Sequence, residues 1–193
     1  MRIFFLLVLS ITLLAFQGCS LAQKVEATTL RNLKNAPYDV IVVPGYPYRD
    51  VKYPELFTTR LFYAKELYDK GLARNIIFSG AAVHTPYVEG TIMTIFADSL
   101  GISSTHTFAE TVAEHSHQNA RLGYKMARQL GFKKVAIATD PFQFSYMTLL
   151  RGLFAPRTKL LSFHPNKMGY YNQQLPAIDS STAFKKDFQP IGN

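Results

Sequence analysis

"YDVIVVPG", Tyr38 to Gly45, decides the fold. Val40, Ile41, Val42 and Val43 form an unbroken β-branched run that stops at Pro44 and Gly45. A strand with one wet face alternates apolar and polar residues, so an uninterrupted run predicts a strand covered on both faces, as in a parallel sheet. Similar runs recur in "RNIIFSG" (74–80), "KKVAIATD" (133–140) and "TKLLSF" (158–163), with a weaker candidate in "THTF" (105–108).

Helical patterns separate these runs. "TTRLFYAKELYDKG" sets Leu61, Ala64, Leu67 and Tyr68 on one face and ends at Gly71, while "VEGTIMTIFADSLG" ends at Gly101 and "AEHSHQNARLGYKMARQLG" at Gly131. The three glycines fall 30 residues apart, each where a helix needs a left-handed residue before the next strand. Buried strands alternating with amphipathic helices predict an α/β fold: three layers, a doubly wound sheet of about five mainly parallel strands. Right-handed crossovers bring the strand C-terminal ends to one edge, where ligands of such sheets bind.

Composition fits a single domain: 193 residues, 48% hydrophobic and 18% charged. "MRIFFLLVLSITLLAF" is one Arg followed by an apolar run of signal-peptide length, too short for a spanning helix. Residues 1–18 are therefore expected to be a signal peptide, and the protein to be exported. Gly18 before Cys19 resembles a lipobox, with Phe16 where Leu is usual; Ser20 and Ala22 in "SLAQ" fit an ordinary signal-peptidase site, and an uncleaved anchor is a third reading. The chain's single Cys stands where a lipid-acceptor thiol is needed, which favours lipidation at Cys19 and a membrane-anchored lipoprotein of the cell envelope. A lone Cys excludes an internal disulfide, and if it is lipidated or removed with the signal, Cys nucleophiles and Cys-based metal sites drop out as well. Residues 19–37 read as a polar tether with room for a short helix, 38–165 as the α/β domain, and 166–193 as a tail of irregular chain or short helix.

The net charge of +8 has no accompanying aromatic and basic nucleic-acid motif, so nucleic acid is not an expected partner. Attraction to anionic envelope surfaces, or a solvated basic surface, fits better.

At the strand ends lie Gly45 and Tyr46, then Ser79 and Gly80, then Glu110, then Thr139, Asp140 and Gln143. Helix starts at that edge supply unpaired N–H groups suited to an anion, although Gly and Ser in such turns also serve the backbone alone. His84, His106, His115 and His117 join Glu89, Glu110 and Asp140 as possible metal ligands; His115 and His117, two apart on a helix, would face different ways, and no metal site is expected. Tyr46, Tyr48, Tyr53 and Tyr87 fall in the two loops over the crevice, to line it or to close the loops onto the domain.

In order along the chain, "DVIVVPG", Arg60 with Leu61, "LYDKGLARNIIFSG", "VEGTIM", "LGI", Glu110, "QN" and "GFKKVAIAT" resemble the YdcF-like family, the ElyC/SanA/YdcF group of bacterial envelope proteins. The resemblance spans about Asp39 to Leu150 and implies a Rossmann-like sheet. It also implies a role in envelope, peptidoglycan or lipid-carrier homeostasis, with no reaction established for the group. A cytosolic relative is linked to S-adenosylmethionine, which transfers poorly to an exported chain, so the cofactor stays unknown. Arg60, Glu89, Glu110, Asn119 and Thr139 match family positions, while Gln118 replaces an acid. After Thr139 the family's His and Arg are absent, and Asp140, Phe142, Gln143 and Tyr146 stand there.

Two functions follow as expectations. The first is a hydrolase or transferase acting on a phosphorylated or glycosylated substrate, with Glu110 and Asp140 as the acid–base pair. Gly45, Tyr46, Arg60, Ser79, Gly80, Glu89, Asn119, Thr139 and Gln143 would bind the ligand. The second is a non-catalytic module binding an envelope-derived small molecule or lipid-linked ligand in the same crevice. For Glu110, capping a helix start is an equal alternative to catalysis.

Overall fold

The computed structural model describes residues 21–49 and 52–191; the expected signal peptide, 1–18, and Cys19 lie outside the described residues. Five parallel strands run in the order β3-β2-β1-β4-β5. They are β1 (Val40–Pro44), β2 (Ile76–Ser79), β3 (Thr107–Glu110), β4 (Val135–Thr139) and β5 (Lys159–Ser162). The order turns back between β1 and β4, the switch point of a doubly wound, Rossmann-like sheet.

Helices α2 (Pro54–Asp69) and α3 (Glu89–Ser99) cover one face, and α4 (Ser116–Gln129) and α5 (Pro141–Phe154) the other. Alternate residues of each strand divide between the two cores: Ile41 and Val43 join Leu61, Ile92 and Phe96, while Val40 and Val42 join Ala120, Ala127, Phe144 and Met147. This explains the unbroken apolar runs, because a strand with a helix layer on each side has no wet face.

The glycines spaced 30 apart do what their spacing predicts. Gly71, Gly101 and Gly131 have φ of 65°, 87° and 85°. Each ends its helix in the same pair of bonds, Gly71 N–H to Tyr68 O with Leu72 N–H to Leu67 O, and the equivalents at Gly101 with Ile102 and Gly131 with Phe132. This is the Schellman arrangement, in which a left-handed residue lets two orphan carbonyls find donors.

The expected tether contains a helix, α1, over residues 21–33, and this helix belongs to the domain. Val25 and Thr29 are buried. The Thr29 hydroxyl accepts from Ser162 N–H at 3.0 Å, and the Asn32 amide donates to Leu160 O at 2.8 Å. These bonds satisfy the outward-facing backbone of edge strand β5, which would otherwise be open to another strand. The tail carries a one-turn helix, α6 (Met168–Tyr171), and then returns as a strap. Val88 N–H donates to Ala183 O, Lys185 N–H to Pro86 O and Ile191 N–H to Val83 O, fixing the loop that follows β2. No described helix is long and apolar enough to cross a membrane.

Candidate active site

The crevice lies at the strand C-terminal edge, against the switch point. It holds about 550 Å³ and is lined by Gly45, Tyr46, Arg60, His84, Glu89, Asn119 and Gln143 among others. A second hollow of about 560 Å³ adjoins it through Arg60, His115, Ser116 and Gln143 and reaches Asp140, Phe142 and Tyr146. Six of the expected ligand-binding residues thus line one cavity. Ser79 and Thr139 are fully buried strand ends beneath it, and Gly80 lies against Glu89.

Arg60 is brought to the edge by α2, which follows β1. Its guanidinium donates from Nη1 to Pro44 O and Gly45 O, at 3.1 and 2.6 Å, and from Nε to Asp140 Oδ2 at 2.8 Å. A Tyr46 ring lies 5.4 Å from the guanidinium carbon. The other oxygen of Asp140 accepts from Phe142 N–H and Gln143 N–H at 2.8 and 2.9 Å, capping α5. Asp140 is fully buried and both its oxygens are engaged, so it fixes Arg60 and α5 rather than facing a substrate.

Glu110 is committed in the same way. One oxygen accepts from Val112 and Ala113 N–H at 2.8 and 3.2 Å, organising the turn out of β3, and the other accepts from the Ser79 hydroxyl. Strands β3 and β4 are also separated by β2 and β1. At ~4.8 Å per strand spacing, Glu110 and Asp140 lie roughly 14 Å apart, so the expected acid–base pair does not form.

Of these three acids, Glu89 lines the first cavity. Its side chain enters the crevice from the first turn of α3, over two glycines: a Cβ added at Gly45 or at Gly80 would come within 2.5 Å of its Oε2. Burial raises its carboxyl from 4.5 to about 8, and the nearby Arg60 charge opposes this only in part. Desolvation therefore outweighs the cation, which favours the ionised form. The result is a carboxyl group that keeps its proton at neutral pH while facing a cavity.

The remaining lining separates into floor and rim. Asn119 is buried, its Oδ1 3.3 Å from the Ser79 hydroxyl. The Thr139 hydroxyl donates to Gln143 Oε1 at 2.5 Å. Helix α4 starts at the crevice without a side-chain cap, and His115, which precedes it, and Ser116, its first residue, line the cavity. Lys52, Glu114 and Ser116 also line it, though sequence patterns gave no reason to single them out; their signal is position, in the loops just beyond β1 and β3. The tyrosines divide: Tyr46 and Tyr53 line the crevice, while Tyr48 and Tyr87 join an aromatic cluster with Phe57, Phe96 and Phe184 that closes the loops.

His115 and His117 do not face different ways. His115 precedes the helix in extended conformation, which lets the two rings stack at 5.7 Å and 19°. His106 instead meets the Tyr68 hydroxyl at 2.6 Å. Among the described residues, no group of three or more His, Cys, Asp or Glu is placed to hold a metal ion.

No protein-family model matches the chain, and no curated protein matches it.

Proposed function

We propose that the protein is a lipid-anchored envelope enzyme of YdcF-like type that hydrolyses or transfers a phosphoryl or glycosyl group, with Glu89 as its proton donor. The buried, protonated carboxyl of Glu89 in an open crevice carries this reading, because a general acid needs a pKa near or above the working pH and a path to substrate. Glu89 delivers its proton to the leaving oxygen as the bond to the phosphoryl or glycosyl centre breaks, water or an acceptor hydroxyl takes the leaving group's place, and the proton this nucleophile loses returns to the Glu89 carboxylate. The Arg60 cation and the uncapped start of α4 favour an anionic substrate. Export and lipidation at Cys19 rest on the N-terminal sequence and supply such substrates from the cell envelope.

The test is an assay of the full chain on lipid-carrier phosphates, nucleotide sugars and muropeptides. Glu89→Gln should abolish turnover while the substrate still raises the melting temperature. Full activity of Glu89→Gln refutes the role of Glu89.

A second reading, a binding module without turnover, is favoured by one observation. Asp140 and Glu110 have both oxygens bonded within the protein, so neither is free to act as the base beside Glu89. Ligand stabilisation with no turnover in any of these assays would establish it.

A further inference from the structure

Helices α4 and α5 lie side by side on one face of the sheet, and their outer surfaces differ sharply. Phe142, Tyr146, Leu149 and Leu153 follow the 4-3-4 spacing of a single helix face, and they are 70%, 43%, 79% and 77% exposed. An apolar stripe of this length on a water-facing helix is a binding surface or a liability. Beside it, α4 exposes Arg121, Lys125 and Arg128 on one side and contains no Asp or Glu. Between Glu114 and Asp179 the chain has nine Lys and Arg but only one acid, Asp140, which is buried against Arg60. The rest of the chain has 12 of each sign, so the entire excess positive charge belongs to this segment.

We propose that the α4–α5 face is a docking surface for an anionic lipid bilayer, with the α5 stripe entering the headgroup and acyl boundary and the α4 cations meeting lipid phosphates. Apolar residues flanked by Lys and Arg are the composition of an interfacial helix, and juxtamembrane cations add attraction to anionic leaflets. An uncharged protein partner would account for the stripe but not for a face stripped of acids. The attachment of the chain agrees with this orientation. Helix α1 runs antiparallel to β5, since Thr29 meets Ser162 and Asn32 meets Leu160, so its start points toward the crevice edge. Val25 near that start shares a core with Phe144 and Met147 of α5. The start of the described chain therefore lies at the crevice edge on the α5 side of the sheet. Phe142 and Tyr146 also line the hollow next to Arg60, so the docked crevice opens at the bilayer surface. This inference does not depend on turnover.

The chain has no Trp, so a single one reports its own surroundings. Leu149→Trp and Tyr170→Trp place the probe on the α5 stripe and on exposed α6, respectively. The full chain is reconstituted in phosphatidylglycerol vesicles carrying brominated acyl chains. The Leu149→Trp emission should shift to the blue and be quenched, while Tyr170→Trp should stay solvent-like. Glu at Arg121, Lys125 and Arg128 together should remove the quenching, each cation contributing about fivefold to docking. Solvent-like emission from Leu149→Trp, or equal quenching of both probes, overturns the proposal. So does a concentration-dependent blue shift without vesicles, which would show a second copy on this face.

Discussion

Two nitrogens of the Arg60 guanidinium, Nε and Nη2, reach a single oxygen of Asp140, Oδ2, at 2.8 and 2.6 Å, with both side chains almost wholly buried. The pair joins α2 to the end of β4 across the switch point, and it holds the cation at the crevice wall. Removing one member of such a pair leaves a buried charge without a partner, which costs far more than the pair itself contributes.

Asp140→Ala should therefore lower stability by about 3–5 kcal/mol in urea unfolding. Asp140→Asn retains a cap for α5 and should recover about 1 kcal/mol of that loss. Equal stability of wild type and Asp140→Ala would show that the pair does not form.

Glu89 links stability to pH. Its carboxyl releases a proton near 4.5 when unfolded and near 8 when folded. Between those values the unfolded chain holds fewer protons, so stability falls as pH rises, by up to ~1.4 kcal/mol per pH unit from this group. Below 4.5 its contribution is constant, and above 8 the loss is complete. Glu89→Gln should remove this slope and become more stable than wild type at high pH, as read from unfolding at about pH 5 and about pH 8. A wild-type slope that persists in the variant contradicts the assignment.

Gly45 has no room for a side chain. An added Cβ would lie 2.5 and 2.7 Å from Oε2 and Cβ of Glu89 and 2.9 Å from Ser79 O, a backbone atom. Gly45→Ala should cost about 1–3 kcal/mol through overpacking. It should also flatten the pH slope by displacing the Glu89 carboxyl, which the same unfolding series checks.

For Glu110→Ala the expected effect is on stability. The variant removes the acceptor of the Ser79 hydroxyl and of two backbone N–H groups, at a cost of about 1–3 kcal/mol. The Glu89-linked pH slope should survive. Intact stability with lost turnover would return Glu110 to catalysis.

The fold was legible because its signals are local: runs such as Val40 to Val43 and the glycines at 71, 101 and 131 each act within one element. The site was legible only as an edge. Which carboxylates share it depends on strand order, and the order β3-β2-β1-β4 separates Glu110 from Asp140. The partner that occupies Asp140 lies 80 residues away in sequence. Glu89 looked like one acid among several, because its distinction is the burial produced by Gly45, Gly80 and the strapped loop. Helix α1 left a faint trace, Val25, Thr29 and Leu33 at intervals of four, within an otherwise polar segment.

The central claim is that Glu89 faces the crevice as a protonated acid at neutral pH. Infrared titration of the full chain tests it directly, with Glu89→Gln subtracted to assign the band. The account predicts a protonated carboxyl stretch, absent from the variant, that disappears near pH 8. A Glu89 band already lost near the ordinary value of 4.5 would contradict it.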